Sequence, residues 1–183
     1  QPGADLLVLG THQWNGLDRL RHTSISRLIL RDAPMNVACV PVAMKAVAAI
    51  PELRRVLVAT DFSEHGNAAI PYAYSSLPRE GAVCLLHVTK LGESKPREKL
   101  DADLRALIPA EAASRGAASE VRIVESNAPA GAICDAADRF GADLVCIGSH
   151  GRSALSVAVM GSVAQAVIAH SARPVLVVRP SVP

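Results

Sequence analysis

Aromatic residues are scarce in this chain: its 183 residues include one tryptophan, two tyrosines and two phenylalanines. A core of stacked rings is thereby excluded. Half of the residues are nevertheless hydrophobic, and a chain of this length can bury a sizeable interior. That interior must be built from Ala, Val, Leu and Ile, which suits buried parallel strands covered by small-residue helix faces. No apolar run reaches the roughly 18 residues of a membrane span; the longest stretch, 37–50, is cut by Pro41 and Lys45. No membrane partner is expected. Charge of either sign is also lacking in excess, with 19 Lys and Arg against 17 Asp and Glu. No basic block is interleaved with aromatics, the pattern of a nucleic-acid surface, so no nucleic acid is expected either. The four cysteines, Cys39, Cys84, Cys134 and Cys146, sit in apolar segments without C-x-x-C spacing and read as small core residues. The amino-terminal residues carry no basic start, apolar stretch and small-residue cleavage site; reduced thiols in the cytoplasm are the expectation.

What the chain does carry is a glycine-spaced segment directly after the apolar run 142–147. It reads Gly148-Ser149-His150-Gly151-Arg152 and continues to Gly161-Ser162. Two glycines at the mouth of a buried strand let backbone amides approach an anion closely, and Gly161-Ser162 opens a helix whose first amides lack internal partners. The spacing Gly-x2-Gly-x9-Gly-Ser is neither a Walker A loop nor a dinucleotide fingerprint. It reads as a phosphate cradle. Each residue also has a plainer explanation. Gly148 and Gly151 could make a tight turn, Ser162 could be an N-cap, Arg152 could stand in solvent rather than fork onto a phosphate, and His150 could be a solvent-facing loop residue rather than a donor. Asp61 could cap the following helix with Ser63, and His87 reads as a satisfied core residue.

The sequence repeats itself. Ala4-Asp-Leu-Leu-Val-Leu-Gly10-Thr-His12 matches Ala142-Asp-Leu-Val-Cys-Ile-Gly148-Ser-His150 at an offset of 138 residues. Carried forward without a gap, the offset places Ser24 on Ser162 and residues 37–40 on residues 175–178, so strand, loop, helix and strand recur over about forty positions. The expected organisation is a remnant of a first copy at 1–45, a linker at 46–53 and a complete unit at 54–183. On this reading the first copy would begin before residue 1. A strand-helix-strand remnant cannot bury both faces of its sheet by itself. Its loop reads Gly10-Thr-His-Gln13-Trp14-Asn-Gly16, with Gln13 at the place of Gly151 and Thr23 at that of Gly161. Side chains of this size obstruct close backbone approach, so the remnant is expected to bind no nucleotide.

The complete unit alternates strand and helix patterns. Strands are expected at 55–60, 82–88, 121–124, about 142–147 and 175–178. Helices are expected at 64–77, kinked by Pro71; at 100–115, interrupted near Pro109 and stopped by Gly116; at 129–140, with Asn127 as cap, Pro129 in first position and Gly141 as stop; and at 162–171. The charged stretch 90–99 is expected to be mobile. The fold class that follows is α/β: a Rossmann-like, open, parallel five-stranded sheet of order 3-2-1-4-5 with helices on both faces, extended by the strand-helix-strand remnant. Ligands of such sheets sit where strand order reverses, so Asp61 after strand one and Gly148 after strand four should meet. The apolar final strand, 175–178, suits pairing across a homodimer or with the equivalent strand, 37–40, of the first copy.

From 54 to 180 the chain resembles the universal stress protein family. The resemblance is carried by Val56-Leu-Val-Ala-Thr60-Asp61-Phe62-Ser63, by Leu85-Leu-His-Val88 and by Gly148 through Val163. It implies an ATP-binding, non-catalytic regulatory module of the stress response. Asp61 and the main chain at Val88 would hold adenine and ribose; the glycine motif and Ser162 would hold the phosphates, with Mg2+ or Mn2+ held through them. Phe62 and Ala154 depart from the family, standing where many members have glycine. With the neighbours of these positions, the candidate nucleotide-binding residues are Thr60, Asp61, Val88, Pro129, Gly148, His150, Gly151, Arg152, Gly161, Ser162 and Val163. Pro129 is also explained as a first-turn helix residue. No catalytic residue and no protein-held metal are expected, because no positioned titratable pair, Walker-type lysine or carboxylate cluster accompanies the glycines. A weak ATPase or self-phosphorylating protein and a scaffold or dimerisation module with a vestigial site are the competing readings. An adenylate-forming enzyme would need a Ser/Gly-rich loop where the chain has Asp61-Phe-Ser-Glu-His65.

Overall fold

The computed structural model describes residues 4–11, 29–30, 32–42, 52–78, 80–93, 95–151 and 160–179. Among them run β1 (Leu6–Thr11), β2 (Asn36–Pro41), β3 (Arg55–Ala59), α1 (Glu64–Asn67), α2 (Ala69–Ser75), β4 (Ala82–Thr89), α3 (Arg97–Ala106), α4 (Glu111–Ser114), β5 (Ala118–Glu125), α5 (Pro129–Phe140), β6 (Leu144–Gly148), α6 (Ser162–His170) and β7 (Val175–Val178). The described strands form a seven-stranded sheet of order β1-β2-β7-β6-β3-β4-β5. Strands β3 to β7 keep the expected 3-2-1-4-5 order of the complete unit, and all their pairings are parallel. The remnant extends this sheet, and the final strand pairs with the strand at 37–40 as expected. The sheet continues past β7, which pairs antiparallel with β2 through Val37↔Val177, Ala38↔Leu176 and Cys39↔Val175, and β1 pairs parallel with β2.

Both faces are dry at the centre of the sheet because residues 56–59 of β3 and 144–148 of β6 are apolar. Val56, Leu57 and Val58 on β3, and Val145 and Cys146 on β6, are fully buried, as expected for parallel strands between two helical layers. Alternation sends Leu57, Leu86, Val145, Ile147, Val175 and Val177 into one layer with α5 and α6. It sends Val56, Val58, Leu85, Leu144, Cys146 and Leu176 into the other with α2, α3 and α4. Truncating any of these larger side chains to alanine would cost about 2–5 kcal/mol.

Local signals explain most element ends. The expected kink near Pro71 is a break: α1 ends at Asn67 and α2 begins at Ala69, because a proline cannot donate to the carbonyl four residues earlier and its ring crowds that group. Pro109 likewise separates α3 from α4. Gly116 and Gly141 adopt the left-handed φ values of 73° and 66° that end helices. Helix α5 has the expected bounds, yet Asn127 is not its cap. The N-cap position is Ala128, without a side-chain bond, while the Asn127 Oδ1 accepts from the Leu91 amide at 3.2 Å. Strand β5 begins three residues before its apolar run because Ala118, Ser119 and Glu120 pair in register with Ala82, Val83 and Cys84. In the charged stretch, residues from Arg97 onward belong to α3. Of the expected linker, residues 46–51 lie outside the described residues, as do Gln13, Trp14, Gly16, Thr23 and Ser24 of the first copy.

Candidate functional site

The site is built where β3 and β6, neighbours in the sheet, release their chains at the carboxyl edge. After β3, Thr60 is fixed from three sides. Its amide donates to the Leu86 carbonyl at 2.9 Å, its hydroxyl donates to the Asn67 Oδ1 at 2.6 Å, and its carbonyl accepts from the His87 Nδ1 at 2.7 Å. His87 is thus a buried, satisfied residue of β4. Phe62 adopts a left-handed φ of 64°, a conformation favoured by glycine and costly for a ring-bearing residue. Its ring tilts against His87 at a centroid distance of 4.5 Å, and that contact holds it there. Ser63 then caps α1, accepting from the Gly66 amide at 3.0 Å.

This bend turns Asp61 toward β6. Its Oδ1 accepts from the Ser63 amide at 3.0 Å and from the Ser63 hydroxyl at 2.5 Å. Its Oδ2 lies against Gly151: a β-carbon on that glycine would stand 2.6 Å from it. The expected meeting of the loops after strands one and four is therefore present. A β-carbon on Gly66 would stand 2.6 Å from the other carboxylate oxygen, so two residues without side chains flank the acid. Closeness of this kind is available only to glycine.

Gly148 plays a different part. A β-carbon there would meet the His65 carbonyl oxygen at 2.3 Å and the Gly66 Cα at 3.0 Å, so its bareness lets β6 pack on the backbone of α1. Beyond it, the Ser149 amide donates to the Val178 carbonyl at 2.9 Å, and the Gly161 amide donates to the Ser149 carbonyl at 2.9 Å. These bonds set the start of α6 beside the loop after β6. His150 is buried and its Nδ1 shares a 2.7 Å hydrogen bond with the Ser149 hydroxyl. The ring meets His65 edge-on at 5.9 Å. The solvent-facing alternative for His150 is overturned by this packing. So is the N-cap reading of Ser162, because Gly161 occupies the cap position with no side-chain bond and Ser162 is the first, exposed residue of α6.

Thr60, Asp61, Gly148, His150, Gly151, Gly161 and Ser162 thus gather at one edge, with the exposed Val163 one step along α6. Val88 is a half-buried residue of β4 opposite Val124 of β5, and the half-buried Pro129 opens α5. The loops beyond β4 and β5 are tied by Asn127 to Leu91 and by the Ser126 amide to the Thr89 carbonyl at 2.9 Å. Arg152 lies outside the described residues, as do residues 153–159. Sequence reasoning passed over His65, Gly66, Asn67 and Ser149. A signal existed for one of them, since Gly66 stands three residues after the capping Ser63, where a first-turn amide must be satisfied.

The chemistry on offer is polar recognition. Among the described residues no group of three or more His, Cys, Asp or Glu gathers to hold a metal ion. Burial pushes the thiols of Cys39, Cys84 and Cys146 up to about 12, which keeps them protonated and poor nucleophiles. A separate cavity of about 540 Å3 is lined by Phe62, Asn67, Lys95, Lys99, Leu100 and Asp103 among others, and shares with the strand-end loop only Phe62 and Asn67.

Comparison with known proteins bears on this edge. A family profile described as the universal stress protein family matches residues 52–179. Among solved structures, a universal stress protein from Archaeoglobus fulgidus DSM 4304 superposes with a TM-score of 0.72 at 23% identity. The match covers 96% of this chain and 60% of that one, so the chain spans less than two thirds of that relative. The hypothetical protein MJ0577 is 28% identical, with a TM-score of 0.64 over 71% of this chain and 98% of its own. A universal stress protein solved in complex with cAMP is 25% identical, with a TM-score of 0.55 over 70% of this chain and 98% of its own. No helix among the described residues is long and apolar enough to cross a membrane.

Proposed function

The chain belongs to the universal stress protein family, and from that premise we propose that its carboxyl-edge hollow binds an adenine nucleotide, ATP, as a regulatory ligand without turning it over. One observation carries the reading: the Asp61 carboxylate is held by Ser63 and set directly against the bare backbone of Gly151. An acid at this place accepts hydrogen bonds from ribose hydroxyls, while backbone amides and a helix start just beyond favour phosphates. Related proteins of this fold include one solved with a cyclic adenine nucleotide, which supports adenine as the base. The residues fit the ligand because glycine stands at 151, where a side chain would crowd the Asp61 carboxylate.

In this assignment Thr60 and Asp61 orient the ribose, Val88 and Pro129 flank the base, and Gly148, His150, Gly151, Arg152, Gly161, Ser162 and Val163 surround the phosphates. Mg2+ or Mn2+ would be held through the phosphates, neutralising their charge. The chain's own residues position and enclose. Among the described residues no paired acid and base stand where a proton would need to move, and occupancy is read as selecting a conformation. The expected location is the cytoplasm, and β7, already paired with β2 in the same chain, joins the two repeats as an intramolecular pair.

Equilibrium titration with ATP, ADP, AMP and cAMP tests the reading. A dissociation constant below about 1 mM for ATP is expected, weakened at least about tenfold by Asp61→Ala, with no phosphate released. Absence of adenine-nucleotide affinity below that concentration refutes it. Mass spectrometry of any nucleotide retained through purification identifies the preferred form.

A further inference from the structure

The cavity of about 540 Å3 lies between the loop after β3 and one side of α3, and its size is usual for small-molecule sites, which run from about 300 to 1,000 Å3. Its helical wall is a single stripe. Pro96, Leu100, Asp103 and Leu107 follow one another at intervals of three or four residues, so they share one face of α3. Lys99 stands next to Leu100 on that lining. The other wall comes from Phe62 and Asn67. Phe62 holds the left-handed φ of 64°, a costly backbone for a ring-bearing residue and one kept where the side chain has a task. Its ring packs on His87 of β4 and also walls the cavity.

The polar groups on this lining are mostly donors. Asn67 spends its Oδ1 on the Thr60 hydroxyl at 2.6 Å, which leaves its amide nitrogen as the group able to serve an occupant. Lys95 reaches Glu93 at 3.6 Å through exposed side chains, an ion pair of little worth in water, and Lys99 makes no ion pair among the described residues. Two ammoniums and an amide thus line a mainly apolar cavity against one carboxylate among the described residues, that of Asp103. Asp103 is exposed and lies about 6 Å along the helix axis beyond Lys99. The imbalance calls for one negative charge and repels a second. We propose that this cavity binds a small apolar acid of single negative charge, with its anionic head held by Lys95, Lys99 and the Asn67 amide and its body laid against Phe62, Leu100 and Leu107. Burial of the body supplies affinity, and the charges supply selection.

Octanoate is the probe, titrated into the full chain by calorimetry and followed by the amide shifts of isotope-labelled protein. A dissociation constant below about 1 mM is expected, with shifts at Phe62, Asn67 and residues 99–107 rather than at residues 148–151. Octanol, octylammonium and octanedioate lack the charge, reverse it or double it, and each should bind at least about fivefold more weakly. Replacing both lysines, Lys95→Gln with Lys99→Gln, should weaken octanoate at least about fivefold. Phe62→Gly, a residue at ease with this φ, should weaken it at least about threefold, and thermal melts establish that both variants are folded. Asp103→Asn should bring octanedioate within about twofold of octanoate, a gain that misfolding cannot produce. The proposal is overturned if octanoate fails to bind below about 1 mM, if octanol binds as well, if the double lysine variant binds octanoate as the parent does, or if the shifts centre on residues 148–151. The titration contains no nucleotide, so this proposal and the functional reading fail separately.

Discussion

Gly148 and Gly151 belong to one motif, yet the structure gives them different work, and alanine substitution separates the two. At Gly148 the new β-carbon would stand 2.3 Å from the His65 carbonyl oxygen and 2.8 Å from its carbon. Ordinary contact starts near 3.4 Å, so β6 and α1 must part by about 1 Å, and both obstructing atoms are backbone. Overpacking of this kind costs about 1–3 kcal/mol, and with no side chain able to rotate away the upper end applies. Alanine returns about 0.4–1 kcal/mol by restricting the unfolded chain, leaving a net loss of about 2–2.5 kcal/mol. For a protein of this size that lowers the melting temperature by roughly 4–10 °C. At Gly151 the β-carbon meets the Asp61 carboxylate, with Oδ2 at 2.6 Å and Cγ at 3.5 Å, a side-chain group that can swing aside. Gly151→Ala should therefore change stability by less than about 1 kcal/mol while displacing the carboxylate and weakening ATP binding about tenfold. Urea and thermal denaturation, paired with nucleotide titration, read both effects. The reasoning fails if Gly148→Ala melts with the parent protein, or if Gly151→Ala is the more destabilised of the two.

Ser63→Ala removes both the α1 cap and the hydroxyl donor to Asp61; a stability loss of about 1–2 kcal/mol in urea denaturation should accompany weaker nucleotide binding. Tyr74→Phe leaves the half-buried Ser119 hydroxyl without its 2.7 Å partner and should cost about 1 kcal/mol by the same measurement. The buried thiols predict an alkaline limit. Burial pushes Cys39, Cys84 and Cys146 up to about 12, from an ordinary 9.0. Their contribution is therefore fully present below about pH 9 and is lost as pH rises toward 12. Chemical denaturation across that window should show falling stability, and a thiol reagent at pH 8 should reach these three cysteines only after unfolding.

The sheet was legible in the sequence because its signals are local. Apolar runs with Gly or Pro at their ends fixed β7 and α5 to the residue, and Pro71 and Pro109 marked real interruptions. Errors arose wherever a distant partner decided the outcome. Asn127 has the side chain of a cap but spends it on Leu91 of another loop. The opening of β5 lacks branched residues and is a strand only because β4 lies beside it. In the site, the pattern of glycines announced close approach without saying to what. Gly148 accommodates the α1 backbone, and Gly151 accommodates a carboxylate. The burial of His150 depends on Ser149 and on His65, a residue 85 positions earlier, which no local window includes.

The antiparallel seam between β2 and β7 has a geometric consequence. Under the repeat offset, Ala38 corresponds to Leu176, and these two residues face one another. Val37 faces the counterpart of Cys39, and Cys39 faces that of Val37. A local dyad therefore passes through the seam between β2 and β7, two strands from one end of the sheet, and the strand meets its own image there. Because the dyad reverses direction, the carboxyl end of β1 opens at the opposite rim from that of β6. Whatever occupies one rim leaves the other unobstructed, and any influence between them must cross the full height of the strands.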